Sequence, residues 1–272
     1  MIVALDYETT GLNYWEEDFR ILSAAFVFPD GFHRFDEGEA VVKDVIERLI
    51  NKGYTFVVQN ASFEWGGTYY RYGIDLPVHA DTMRMAQNYG PPMKQVGKKK
   101  VPTFRLTALV EEYLGVEDFK EKYYSLIRAM GWGNPGAHLT ELSPEDFKAY
   151  NIADADYTLQ VYEYILRYFE KINHDWQIDH QLYMVKVRKL VKLKARGIKV
   201  DREKLVKNIE TVEAEIEAID ADFIGRFPEQ CAEIVEEIIC KKWKSEKGRE
   251  AKRGTIKFNC GSATQLARLF RD

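Results

Sequence analysis

The chain has 272 residues, 46% of them apolar and 30% charged, with a formal net charge of −4; this balance fits a globular protein of one or two domains and excludes a fibrous or disordered chain. It contains no apolar run of the roughly 18 residues a membrane helix needs, and its N-terminus is strand-like with no basic leader, so neither a membrane span nor a signal peptide is expected and the expected location is cytoplasmic. Cys231, Cys240 and Cys260 fit no CxxC spacing and the five histidines show no paired-ligand spacing, which argues against zinc sites and disulfide frameworks.

Residues 2–6 read as a strand, with the apolar run Ile2-Val3-Ala4-Leu5 leading into Asp6. Asp6 and Glu8 stand two apart and share a face, while Tyr7 points the other way. Such a pair repels itself unless a hard divalent cation, Mg²⁺ or Mn²⁺, sits between the acids. Taken alone, a solvated pair is the ordinary alternative. Residues 21–28 and 32–36 are predicted strands joined by a Pro29-Asp30-Gly31 turn. Val42, Val45, Ile46, Leu49 and Ile50 recur at helical spacing over residues 39–51, and residues 54–58 form a fourth strand that delivers Gln59, Asn60 and then Glu64.

Further helices are predicted near residues 62–73, 81–88, 104–115, 143–172, 176–196 and 202–224. The Gly/Pro/Lys-rich stretch 90–102 is predicted to be a mobile surface loop. The helix beginning near residue 143 has the clearest start: Ser143 as N-cap, Pro144 in the first position, then Glu145 and Asp146. Tyr150 and Asp154 lie four apart within it, one turn from each other on one face. Nine Lys/Arg between Lys186 and Lys204, and eight between Lys241 and Lys257, are either the wet faces of helices or docking sites for a polyanion. The order of elements implies an α/β fold, a mixed sheet flanked by helices, with a mainly helical C-terminal segment. The expected division is 1–175 and 176–272.

Asp6-x-Glu8, Asn60-x-x-x-Glu64 and Tyr150-x-x-x-Asp154, in this order, resemble the three motifs of the DEDDy 3′-5′ exonucleases, most closely the proofreading domain of family A DNA polymerases. Each motif is loose on its own; jointly, each on the element type it needs, they are specific. The resemblance covers residues 1 to about 172. The segments Leu190 to Leu205 and Ile256 to Leu269 resemble the stretch that opens the thumb of such polymerases, and nothing resembles the palm or fingers, so polymerisation by this chain alone is not expected.

The resemblance implies a ribonuclease-H-like fold and hydrolysis of DNA 3′ ends with two divalent ions, Mg²⁺ or Mn²⁺. Asp6 would bridge both ions, Glu8 and Asp154 would complete the tighter site, and Tyr150 would orient the nucleophile. Leu12 matches the family's wedge against the terminal base, and Thr9, Gln59 and Asn60 match positions that meet the DNA; Gln59 and Asn60 could equally close a strand end. Glu64 departs from the usual Asp of the second motif by one methylene, and is kept as a ligand or neighbour of the second metal, with Asp81 as a fallback acid or a helix N-cap. The implied partners are a single-stranded DNA 3′ end and a polymerase domain, in cis or as a separate chain, of phage type, which would put the protein in the host cytoplasm. The same acids would also serve an RNA 3′-exonuclease of the ribonuclease D kind, and loss of metal binding at Glu64 would leave a nuclease-dead DNA-binding module.

Overall fold

The computed structural model describes residues 1–97 and 99–270 and divides into two compact units, Met1–Gly197 and a second that starts at Ile198. At the centre of the first is β1 (Ile2–Thr9), paired antiparallel with β2 (Ile21–Val27) and parallel with β4 (Thr55–Val58). β3 (His33–Glu37) extends the sheet antiparallel beyond β2, and β5 (Val78–Asp81) extends it parallel beyond β4, giving the order β3-β2-β1-β4-β5. The fold is the mixed α/β sheet with flanking helices that the ribonuclease-H-like resemblance implies.

Side-chain alternation along β1 sends its residues into two cores. Val3, Leu5 and Tyr7 pack with Val42, Val45 and Ile46 of α1 (Glu39–Asn51), Trp65 of α2 (Ala61–Tyr72), and Val187 and Val191 of α7 (Trp176–Arg196). Ala4 faces the other way, into a core with Met85 of α3 (Thr82–Tyr89), Leu109 of α4 (Leu106–Leu114), and Ala155, Leu159 and Ile165 of α6 (Pro144–Lys171). Asp6 and Glu8 follow Ala4 on the α6 side. β4 pairs with β1 only from Ile2 to Ala4, so the acid-bearing end of β1 projects past it, and the ladder with β2 slips between Glu8 and Thr9. Such irregularities redirect side chains at strand ends.

Three differences from the sequence expectations have clear causes. The 90–102 stretch is not an irregular loop: Met93–Val96 and Lys99–Pro102 pair as an exposed antiparallel hairpin, β6–β7, with Gly97 at positive φ in its turn. Its charged residues sit on a ribbon that is wet on both faces, so no apolar alternation marks it as strand. A helix at Glu121–Ala129, α5, was not foreseen, because Lys120 before it offers no side-chain cap and the helix buries only Tyr123 and Ile127. The expected division at 175/176 falls too early, since α7 returns onto the first unit: His180 and Val187 are buried there, and the compact unit runs to Gly197.

The second unit contains α8 (Arg202–Arg226), α9 (Pro228–Lys242), α10 (Glu246–Glu250) and α11 (Ala263–Leu269). Its small core gathers Cys231, Ile234 and Phe258 around Phe223 and Phe227, with the Phe223 and Phe258 rings stacked 5.9 Å apart. α8 buries no residue fully along its length, as its blocks of charge imply. No helix among the described residues is long and apolar enough to cross a membrane.

Candidate active site

Three carboxylates from two elements meet at the C-terminal end of β1. Ligand oxygens of Asp6, Glu8 and Asp154 lie within 4.8 Å of one another, the first two on the strand and the third on α6. α6 can deliver Asp154 because Ser143 accepts a hydrogen bond from the Asp146 N–H at 3.1 Å and Pro144 needs no partner, so the helix starts at a fixed point and presents Tyr150, Asn151 and Asp154 as one face. Asn151, fully buried, clamps the strand to this helix. Its Nδ2 donates to Asp6 Oδ2 at 2.8 Å, and its Oδ1 accepts from Ser23 Oγ on β2 at 2.9 Å. The motif contained Asn151, but only the fold reveals its role, since its two partners are 145 and 128 residues away in the chain.

Glu64 enters from the third side. Asn60 takes a left-handed φ of 74° and turns the exit of β4 sharply into α2, so that Glu64 falls in the first helical turn, buried and close enough to Asp6 for their charges to repel. Its carboxylate lies outside the three-residue ligand group. The turn itself is held by Asp81, whose carboxylate accepts from the N–H groups of Asn60 and Ala61, both at 3.0 Å, and from Met83 N–H at 3.0 Å. One buried acid therefore caps both α2 and α3, and the N-cap alternative for Asp81 describes its position. His180 of α7 accepts from the Asp81 N–H at 2.9 Å, which requires an unprotonated Nε2; burial first, then the neighbouring His79, lowers its pKa to about 4.

The remaining predicted residues are distributed as follows. Tyr150 is buried with its ring edge-on to Tyr123, and its hydroxyl accepts from Lys120 Nζ at 3.0 Å. Leu12 is 81% exposed in the loop between β1 and β2, and Thr9 Oγ1, at the end of β1, donates to Gly11 O in that loop. The Gln59 amide is engaged at both ends, donating to Phe104 O at 2.7 Å and accepting from Thr82 Oγ1, so it serves the scaffold as placed. Asn60 Oδ1 accepts from Ser62 Oγ. Asp156 turns to Gln160, away from the cluster.

Sequence reading missed Lys120. Its Nζ donates to Asp154 Oδ2 as well as to Tyr150, and lies 4.8 Å from the Tyr150 ring centre. No local pattern distinguishes this lysine from Lys122 two residues later.

Burial is the first cause of raised pKa values in Asp6, Glu8, Glu64 and Asp154. Mutual repulsion adds to it for Asp6, Glu8 and Glu64, and Lys120 works against it for Asp6, Glu8 and Asp154. Among the described residues, Asp154 Oδ1 and Glu64 Oε2 are buried without a hydrogen-bond partner. An all-oxygen donor set with partnerless buried carboxylate oxygens fits a hard divalent cation and does not resemble a zinc site of thiolates and imidazoles.

A family described as 3′-5′ exonuclease matches residues 2–170, which contain all of these acids. The chain belongs to this 3′-5′ exonuclease family. Among solved structures, the exonuclease chain is similar to NrnC of Brucella melitensis, with 18% identity and a TM-score of 0.52 over 72% of this chain and 85% of that one. It is also similar to Escherichia coli RNase D, with 17% identity and a TM-score of 0.50 over 71% of this chain and 45% of the other. The likeness to the POL domain of Pol1 from M. smegmatis has 16% identity and a TM-score of 0.53, and spans 99% of this chain and 36% of that one. At these identities the likeness is one of fold. No curated protein sequence matches the chain.

Proposed function

We propose that this exonuclease removes nucleotides one at a time from the 3′ end of single-stranded DNA, with divalent ions held by Asp6, Glu8, Asp154 and Glu64, as the proofreading part of a family A DNA polymerase. The observation that carries the metal-dependent reading is the convergence of Asp6, Glu8 and Asp154 oxygens within 4.8 Å, with one Asp154 oxygen lacking any partner. When bound, two such ions supply a nucleophilic hydroxide and stabilise the departing 3′ oxygen.

The protein's own groups do the rest. Asn151 fixes the Asp6 carboxylate at 2.8 Å so that it faces the same space as Asp154. The Tyr150 hydroxyl accepts from Lys120, which leaves its own proton free to donate to an incoming oxygen. Burial and the neighbouring carboxylates of Asp154 and Glu8 push the Tyr150 pKa far above its ordinary value of about 10, so the phenol orients and does not act as a base. Leu12 stands exposed on the loop leaving β1, where a side chain can part a terminal base from its neighbour.

DNA as substrate and a polymerase as partner are supported by the extent of the fold likeness. It runs through 99% of the chain for Pol1, whose structure holds a DNA primer-template, against 71% for RNase D. The fold shared with RNase D, an exoribonuclease involved in structured RNA processing, supports RNA as the second reading. A comparison of 5′-labelled single-stranded DNA, blunt duplex DNA and single-stranded RNA of one sequence, each with Mg²⁺ and with Mn²⁺, separates them. The expected result is single-nucleotide shortening, fastest on single-stranded DNA; RNA trimmed faster than DNA under both metals would replace the first reading with the second.

A further inference from the structure

Lys120 brings a positive charge to the Asp154 side of the acid cluster. It directly precedes α5, its side chain is 16% exposed, and its Nζ binds Asp154 Oδ2 and the Tyr150 hydroxyl while resting over the Tyr150 ring. A buried ammonium is costly unless paired, and a pair of this kind is seldom a net gain in stability over apolar packing. Its position suggests another purpose. Asp154 has one oxygen on Lys120 and the other without a partner, so any cation that takes Asp154 as a ligand must share that carboxylate with the lysine.

We propose that Lys120 is the fold's own occupant of the cation position at Asp154, that a divalent ion displaces its ammonium on binding, and that the displaced ammonium stays on the phenol of Tyr150 and positions it. The proposal rests on the reading of Asp6, Glu8 and Asp154 as metal ligands. An ammonium on Asp154 Oδ2 and a divalent ion on the same carboxylate would repel each other, because Coulomb energies between charges a few ångströms apart are large away from bulk water, and the ammonium, unlike an ion held by several acids, has a second place to go. Tyr150 provides the second anchor. Its hydroxyl oxygen at 3.0 Å and its ring face, with the ring centre at 4.8 Å, both attract the ammonium after Asp154 is given up. Lys120 donates to the Tyr150 oxygen, so the phenolic proton points away from the lysine, toward Tyr124 Oη at 3.3 Å or toward a bound oxygen. Lys120 is therefore a positioning residue acting through Asp154 and Tyr150.

Calorimetric titration of the full chain with Mn²⁺ alone tests this, using wild type, Lys120→Met and Lys120→Arg, with melting curves in EDTA and in Mn²⁺. Lys120→Met is expected to bind Mn²⁺ about tenfold more tightly or better, because the competing charge is gone. It is also expected to melt lower in EDTA and to recover more of its Tm on metal addition, while Lys120→Arg keeps an affinity close to wild type. A Lys120→Met protein that folds only with Mn²⁺ supports the proposal in the same sense, since the metal replaces the lost charge. Wild-type or weaker affinity in Lys120→Met overturns it while leaving the metal site standing, as does a variant that folds under neither condition. If wild type and variant both fail to bind Mn²⁺, the metal-site reading itself falls.

Discussion

Glu64 and Asp154 each keep one buried carboxylate oxygen without a partner, an arrangement that costs free energy until a cation arrives. Replacing Glu64 by Gln removes a buried acid beside Asp6 at nearly constant volume. The metal-free Tm is expected to rise by a few degrees, on the order of 1 kcal/mol, while the cleavage rate falls by roughly 100-fold; melting in EDTA and steady-state rates check the two halves. A pH effect follows from the raised pKa values of Asp6, Glu8 and Glu64, caused first by burial and then by mutual repulsion. The folded metal-free protein holds protons that the unfolded chain releases near its ordinary value of about 4, so this stabilising contribution is present below that pH and is lost as pH rises through the folded values. Asp6→Asn should therefore flatten the fall of metal-free stability above about pH 4. Metal binding should release protons, seen as a buffer-dependent heat on Mn²⁺ titration. At this scale the spacings of two and four placed Asp6 with Glu8 on one strand face and Tyr150 with Asp154 on one helix face, while the meeting of Asp6, Glu8 and Asp154 was implied only by the resemblance to the three motifs. Lys120 and Asn151 were not legible, because what distinguishes them is a contact with residues distant in the chain.

Among the elements, α2 carries the sharpest constraint. A Cβ on Gly66 would lie 2.4 Å from two atoms of the Tyr14 ring, so the loop between β1 and β2 docks into a notch that only glycine provides, two residues beyond Glu64. Gly to Ala inside a helix ordinarily stabilises by about 1 kcal/mol; here Gly66→Ala should destabilise by roughly 1–3 kcal/mol. Because Leu12 rides on the displaced loop, kcat/KM on single-stranded DNA should fall as well. Thermal melting and kinetics of this one variant check both signs, and a rise in Tm would contradict the packing. The strands β1 to β4 and the long helices α6, α7 and α8 were readable from period and caps, as Ser143-Pro144 before α6 illustrates. The β6–β7 ribbon and α5 were not, since neither buries enough apolar surface to impose a period on its sequence.

At the scale of the molecule, α7 decides where the first compact unit ends. Val187 and Val191 lie in its core and His180 bonds the Asp81 backbone, so a chain ending at residue 197 should melt near the first transition of the full protein. A chain ending at 175 should lose roughly 5 kcal/mol or more, from two core valines, a buried histidine and the cover of α2. The expected boundary near residue 175 rested on a switch to charged helices, and charge on the outer face of α7 concealed the apolar face that keeps it in the first compact unit. Metal-dependent cleavage by this chain depends on the cluster of Asp6, Glu8 and Asp154. The most direct test of this dependence is digestion of 5′-labelled single-stranded DNA in Mn²⁺ by wild type, Asp6→Ala and Asp154→Ala, with EDTA as control. A ladder shortening one nucleotide at a time in wild type, abolished by EDTA and reduced by more than ~100-fold in both variants, is the predicted result; a ladder that persists in either variant or in EDTA would contradict it.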